Sequence, residues 1–497
     1  MQNTFDDADA LNGWVTAGKG SSGIEDGVLH VTASEAEGRL LRLRIPAEPY
    51  RGARVLMDVR ARAQDVAVPP ESYQGVKAMI QTEGPSGPTY ASQTQLWGSF
   101  GWRPLPVSSV VPADAEEIVL VLGIEATTGE VWFDDLTFEV TAMPRTRPEQ
   151  RPEFSQEKLD RRTDVPRLRG VMYGPAIKEQ DLRDLADWGG NVIRYHMYYH
   201  GAHFPETRLD LERYDEWLVE TMAELDGALP LFEELGIKVV IDLHTPPGGG
   251  VGNQWELFAD ARYQQYFIQA WDRLAERYKD EPAVWGYDLA NEPPEGAVAE
   301  GLMDWRTLAE HVARRVRKID PHKAIFIAPG PAGGWGNLPY FEPIDVPGII
   351  YTVHVYDPLE FTHQGVFAQT PTGVKYPGMI NGELWDRERL RQELMPVREF
   401  QLDYGVPVFI GEFSAPRWAP GAAEYLRDAI SIFEEFGWDW TYHSFRNYHV
   451  WEVELVAEQE SRELSPVPTD RMKALQDGFS KNAGDDADDG GRREGGS

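Results

Sequence analysis

Val284-Trp285-Gly286-Tyr287-Asp288-Leu289-Ala290-Asn291-Glu292-Pro293 is the stretch that decides how this chain folds. Its first six residues are short and largely apolar, as a strand buried on both faces must be, and a carboxylate follows just past the C-terminal end. A second stretch repeats the arrangement, Val406-Pro407-Val408-Phe409-Ile410 leading into Gly411-Glu412-Phe413-Ser414. Strands of this kind belong to parallel sheets covered by helices. In a closed (β/α)₈ barrel their C-terminal ends converge on one face, where the site sits. Two carboxylates meeting there are the pair that glycoside hydrolysis uses, one to protonate the leaving oxygen and one to attack or to activate water.

Working outward, strand and helix patterns alternate from Leu168 to about residue 480. Barrel strands are expected at 168–173, 192–195, 238–243, 284–289, 324–328, 349–354, 407–411 and 438–444. Helical periods lie between them, as in Phe267, Ile268, Trp271, Leu274 and Tyr278, and in Trp305, Leu308, Val312, Val316 and Ile319. The fifth crossover, with Gly333-Gly334-Trp335-Gly336 and several prolines, leaves little room for a long helix. The fold class is therefore α/β, a TIM barrel over 165–480. Residues 1–142 carry short alternating runs separated by Gly, Pro, Ser and Asp with no helical period, so an all-β sandwich is expected to precede it. Residues 143–164, with Pro144, Pro148 and Pro152, read as a linker, and 481–497 as a disordered tail.

The chain has 497 residues and a net charge of −33, which disfavours nucleic acid and anionic membranes as partners. No apolar run is long enough to span a bilayer. The absence of cysteine excludes disulfides, thiolate zinc sites and a cysteine nucleophile. His200, His203, His443 and His449 follow no standard zinc spacing, so no catalytic metal is expected. Residues 1–20 have neither the basic start nor the apolar core of a signal peptide. Met1-Gln2-Asn3-Thr4 is consistent with an initiator set before a trimmed start. Extracellular action is expected, with a cytoplasmic place left open and the oligomeric state undetermined.

Polar groups gather at the ends of the expected strands. The second ends in Arg194-Tyr195-His196, the third in Asp242-Leu243-His244 and the fourth in Asn291-Glu292. The sixth ends in His354-Val355-Tyr356, the seventh in Glu412 and the eighth in Trp440-Thr441-Tyr442-His443-Ser444. Asn-Glu-Pro closing one strand, His-x-Tyr two strands on and Gly-Glu-Phe on the next resembles glycoside hydrolase family five over roughly residues 165–450. The resemblance implies a retaining β-glycosidase with Glu292 as acid/base and Glu412 as nucleophile, and it implies no organic cofactor. Under it, Glu292 needs burial and a neighbouring negative charge to stay protonated near neutral pH. Arg194 and Tyr356 would hold Glu412 ionised, Asn291 would meet the sugar 2-hydroxyl, and His244 and His354 would position other hydroxyls and the acid. Asp242 is expected to brace the barrel.

One position departs from the family. Where a Trp usually follows Tyr on the eighth strand as a platform beneath the sugar, Tyr442 is followed by His443. Trp440 or Trp451 is then expected to supply the platform, or the subsite is built differently around His443. The partner implied is a β-linked polysaccharide or oligosaccharide, and the activity foremost an endo-β-1,4-glucanase. A β-mannanase and an exo-β-glucosidase remain alternatives on the same machinery, and a non-catalytic carbohydrate-binding barrel is a rival of another class. The sandwich resembles jelly-roll carbohydrate-binding modules through Phe5-Asp6-Asp7 and Trp132-Phe133-Asp134-Asp135-Leu136. Tyr90, Trp97 and Trp102 are its candidate platform, and Asp134 and Asp135 candidates for a structural calcium. The alternative role of a brace for the barrel is favoured by the short linker.

Overall fold

The computed structural model describes residues 1–482 except 72, 94–95, 153–165, 250–254, 295–297, 367–369 and 371. It separates into two compact units, Met1–Thr146 and a second that begins at Arg147. Most of the expected linker core and nearly all of the expected tail lie outside the described residues.

The first unit is two antiparallel sheets. One carries Gly20–Glu25, Val28–Ala33, Gly129–Ala142, Arg54–Val66 and Val107–Val110 in spatial order, with Gln2–Asn3 and Gly98–Pro104 paired alongside. The other orders Trp14–Gly18, Gly38–Pro46, Glu117–Glu125, Gly75–Glu83 and Thr89–Ser92. Alternate residues such as Leu29, Val31, Val55, Met57, Val59, Leu120, Leu122 and Phe133 turn inward and make one core. Of the candidate platform, Trp97 packs on this core, Trp102 stands on the first sheet and Tyr90 on the second. Asp134 and Asp135 sit at a register break, where Asp135 accepts from Arg60 at 3.1 Å and Asp134 from the Asp135 amide at 2.8 Å. Among the described residues no group of three carboxylate or imidazole ligands forms there.

The second unit holds a closed barrel of eight parallel strands in sequence order: Arg169–Tyr173, Val192–His196, Lys238–Asp242, Val284–Asp288, Ala324–Ile327, Ile349–Val355, Val408–Phe413 and Asp439–Tyr442. Three of the covering helices begin at side-chain caps, as Asp210, Asp260 and Asp304 accept amide hydrogens of the first turns of Leu211–Leu235, Ala261–Tyr278 and Trp305–Ile319. Gly236 and Gly437 stop two helices in the left-handed conformation that glycine adopts without strain. The fifth crossover holds only the short 3₁₀ turn Trp335–Tyr340.

Period-two alternation gives the barrel interior its two storeys. Leu168, Val192, Val240, Trp285, Ala324, Phe326, Ile350 and Phe409 fill the floor as one apolar cluster. Further along the same strands the inward positions turn polar and buried: Arg194 and Asp242 lie two residues on from Val192 and Val240, while Asp288 and Glu412 lie three on from Trp285 and Phe409, where register irregularities interrupt the alternation. The floor is what keeps water from reaching that polar layer from below. Phe409 touches Trp285 and Phe326 edge-on at 6.3 and 5.1 Å. Phe409→Ala should cost about 3–5 kcal/mol through the cavity it leaves, read as a lowered barrel transition in urea. An unchanged transition would show that the floor does not carry the barrel.

Candidate active site

Each inward side chain of the upper storey comes from a different strand end. Arg194 is fully buried and divides its guanidinium among three carboxylates: Nε to Asp288 at 2.8 Å, Nη2 to Asp242 at 3.1 Å and Nη1 to Glu412 at 2.8 Å. Nη2 also donates to Asn291 Oδ1 at 2.9 Å. Asp242 holds His244 through Nδ1 at 2.8 Å, and the other nitrogen of that ring meets the Asn291 amide at 3.2 Å. Asp242, expected to brace the barrel, instead fixes Arg194 and His244 at the site.

Glu412 Oε2 accepts from Tyr356 Oη at 2.8 Å, and His443 Nδ1 stands 3.1 Å from the same oxygen. His354 lies between the two glutamates, its Nδ1 at 2.8 Å from Glu292 and its Nε2 at 3.8 Å from Glu412. Glu292, His354 and Glu412 each place an atom within 4.8 Å of the others. That triad is also the one group of described residues with metal-ligand character. Glu412, however, already carries the Arg194 cation, whose charge opposes a metal ion at the same oxygen.

Charge and burial compete at Glu412, His354 and Asp288. Burial works to raise Glu412, yet His354, His443 and Arg194 outweigh it and hold the carboxyl well below its ordinary range. Burial also opposes charge on His354, but Glu412 and Glu292 raise it above an ordinary imidazole. Asp288 is pushed up to about 7 by burial against the pull of Arg194, with Asp242 adding to the rise. Tyr356 is raised, first by burial and then by Glu412, so it stays a neutral donor.

Of the ten residues expected at the site, Arg194, His244, Asn291, Glu292, His354, Tyr356, Glu412 and His443 meet directly. Trp451 lies behind them, 6% exposed, its ring 4.7 Å from His443 and 5.7 Å from Tyr356. It supports those rings from beneath. Trp440 is a correction. It points out of the barrel, stacks on Phe479 at 5.3 Å and donates to Glu434 at 3.0 Å. The reason is alternation: Thr441 and His443 face inward, so Trp440 and Tyr442 must face the helices. The expected burial of Glu292 is a second correction, since its side chain is 40% exposed, in a left-handed conformation at φ 47°. The negative neighbour it needs is present and the cover is not.

Two further residues belong to this constellation. His196 shares the inward parity of Arg194. It lies 5.5 Å from His244, with its Nδ1 buried and unpartnered, and burial followed by His244 and His443 holds it neutral. Its spacing of two from Arg194 was the available signal. Trp335, at the end of the fifth crossover's Gly-rich run, donates from Nε1 to Asp357 at 2.5 Å, next to Tyr356. Nothing local in the sequence marks that contact.

A family model described as cellulase, glycosyl hydrolase family 5, matches residues 157–449. Endoglucanase C of Acetivibrio thermocellus is 26% identical over 298 residues, covering 54% of this chain and 84% of that protein. Cellodextrinase A of Ruminococcus flavefaciens is 24% identical over 241 residues, covering 48% and 68%. The solved structure of a hyperthermophilic endo-β-1,4-glucanase in complex with substrate is 21% identical. It covers 64% of this chain and 99% of its own, with a TM-score of 0.49.

Glu412 is depressed, so its ionised form contributes stability above the unfolded carboxyl pKa of about 4.3, and this is lost as pH falls through the folded value. Arg194→Met leaves three carboxylates without their cation. It should lower stability by about 3–5 kcal/mol near neutral pH and move the acidic limb of any activity that needs ionised Glu412 upward. Retained stability with an unmoved limb would show that Arg194 is not the counter-charge.

Proposed function

The chain belongs to glycosyl hydrolase family 5, and from that membership we propose a retaining endo-β-1,4-glucanase that works with Glu292 as acid/base and Glu412 as nucleophile. The observation that carries this reading is the approach of the two glutamates within 4.8 Å, with His354 hydrogen-bonded to Glu292 and lying beside Glu412. Retaining enzymes hold their carboxyl groups about 5–5.5 Å apart, whereas inverting enzymes leave about 6.5–9.5 Å for a water molecule.

In the first step Glu412 attacks the anomeric carbon as its bond to the glycosidic oxygen breaks, and Glu292 gives that oxygen a proton. The resulting glycosyl ester on Glu412 is then attacked by water whose proton returns to Glu292. Two inversions leave the anomer unchanged. Arg194 and Tyr356 keep the attacking carboxylate ionised and aimed along one lone pair. His354 holds Glu292 in place through Nδ1 at 2.8 Å, with its other nitrogen turned towards Glu412 at 3.8 Å. A sugar lying over the half-open Glu292 supplies the desolvation that the free protein lacks. No step calls for an organic cofactor. Asn291, with its oxygen fixed by Arg194, presents its amide nitrogen to the sugar's 2-hydroxyl. Action outside the cell is part of the proposal, because a polymeric glucan meets the enzyme there.

The test begins with Glu412→Ala, which should abolish hydrolysis, while azide added with an activated aryl β-glycoside should yield the α-glycosyl azide by a single inversion. Glu292→Ala should slow cello-oligosaccharides by about 10²–10⁴-fold and spare the first step on substrates with a good leaving group. Proton NMR of early products should show the β anomer first, and initial release of the α anomer would overturn retention. Turnover on β-1,4-glucan should exceed that on β-mannan, with internal cleavage seen as a rapid fall in viscosity. A higher rate on mannan, or release of glucose alone, would reassign the substrate.

A further inference from the structure

Resting on the retaining-glycosidase reading, we propose that His443 does two jobs with its two nitrogens. Nδ1–H heads a proton-ordered chain that fixes the nucleophile, and Nε2 accepts a hydrogen bond from a hydroxyl of the sugar in the cleaved subsite. A hydrogen-bonding contact thereby stands where the family places a stacking surface.

The argument is one of proton counting. His443 Nδ1 lies 2.7 Å from Tyr356 Oη and 3.1 Å from Glu412 Oε2, and Tyr356 Oη lies 2.8 Å from that same oxygen. The carboxylate can only accept, and the phenol has a single proton. If Nδ1 were bare, the phenol would have to choose between nitrogen and carboxylate. The nitrogen lone pair would then face a carboxylate oxygen at 3.1 Å. With the proton on Nδ1 all three contacts are satisfied in one direction: imidazole N–H to phenol oxygen, phenol O–H to Glu412. In a neutral ring this makes Nε2 an acceptor.

Nε2 is free to act. Among the described residues no hydrogen bond reaches it, it is not among the sealed polar atoms, and 19% of the side chain is open. Trp451 backs the ring at 4.7 Å and holds its orientation. The groups that set the local charge are Arg194, His354, Tyr356 and Glu412 around the nucleophile, with His196, His363 and Glu292 around them. The ligand chemistry is a pyranose hydroxyl held one imidazole width from the carboxylate that attacks C1. A flat apolar ring at this position would recognise only the sugar's C–H face.

Two near-isosteres separate the roles. His443→Asn keeps an N–H near the place of Nδ1 and deletes Nε2, whereas His443→Gln puts an amide near Nε2 and deletes the donor to Tyr356. On cellotetraose, His443→Asn should raise KM about tenfold, the loss of one hydrogen bond to substrate. On 2,4-dinitrophenyl β-cellobioside, whose departure needs no acid, His443→Gln should lower kcat and move the acidic limb to higher pH, since the ionised nucleophile loses support. The acidic limb of His443→Asn should stay with the wild type. Among monodeoxy substrates, the one whose loss slows the wild type should leave His443→Asn indifferent. If both variants change KM, limb and melting temperature alike, His443 is only a packing residue and the proposal fails. Persisting hydrolysis by Glu412→Ala would instead remove the glycosidase reading beneath it.

Discussion

Everything at the open end of this barrel is arranged around one buried guanidinium. A cation with no exposed surface is tolerable only where carboxylates compensate it, and removal of either side leaves an unpaired charge in a medium that solvates it poorly. Arg194 meets Asp242, Asp288 and Glu412, each from a different strand. The planar fork of arginine makes those contacts directional, so the strands that carry the carboxylates must keep their register relative to it. Three acids on one base also leave negative charge to spare. Glu412 therefore faces the cleft as a carboxylate whose partner is already shared, which is the condition an attacking oxygen needs.

This arrangement also explains the division of labour between the two storeys. The floor of Trp285, Phe326, Phe409 and their neighbours supplies apolar burial and asks nothing of pKa. The storey above it contributes little net stability, because buried ion pairs roughly balance their own desolvation. Its value lies in fixing tautomers and proton positions: Asp242 orients His244, His354 spans the two glutamates, and His443 orders Tyr356.

Much of this was legible in the chain. Eight apolar runs, six of them ending in the polar residues named above, foretold the barrel to within two residues at each strand end, because strands buried on both faces leave a strong signal. Glu292 and Glu412 stood out because a carboxylate next to such a run has no bland explanation. Trp440 was misplaced through neglect of the alternation that Thr441 and His443 make plain, so that error lay in the reading and not in the sequence. Other failures were of a different kind. The half-open state of Glu292 depends on the cleft's shape, and the Trp335–Asp357 contact on how the fifth crossover folds back. These are consequences of packing between distant segments, which no local pattern records.

The seam of the barrel has a consequence in time. The first strand closes against the eighth. Arg169 on that first strand pairs with Glu434, and it also donates to Asn482 across 313 residues of chain. Trp440 is sandwiched there against Phe479. Until those late residues leave the ribosome, the first strand has one unpaired edge. At synthesis rates of about 5–20 residues per second that wait lasts roughly 15–60 s. For that interval the nascent half-barrel is a sheet with an open side, the geometry that invites pairing with a neighbouring chain. Slow translation or crowded polysomes lengthen that exposure and so lower the yield of this protein.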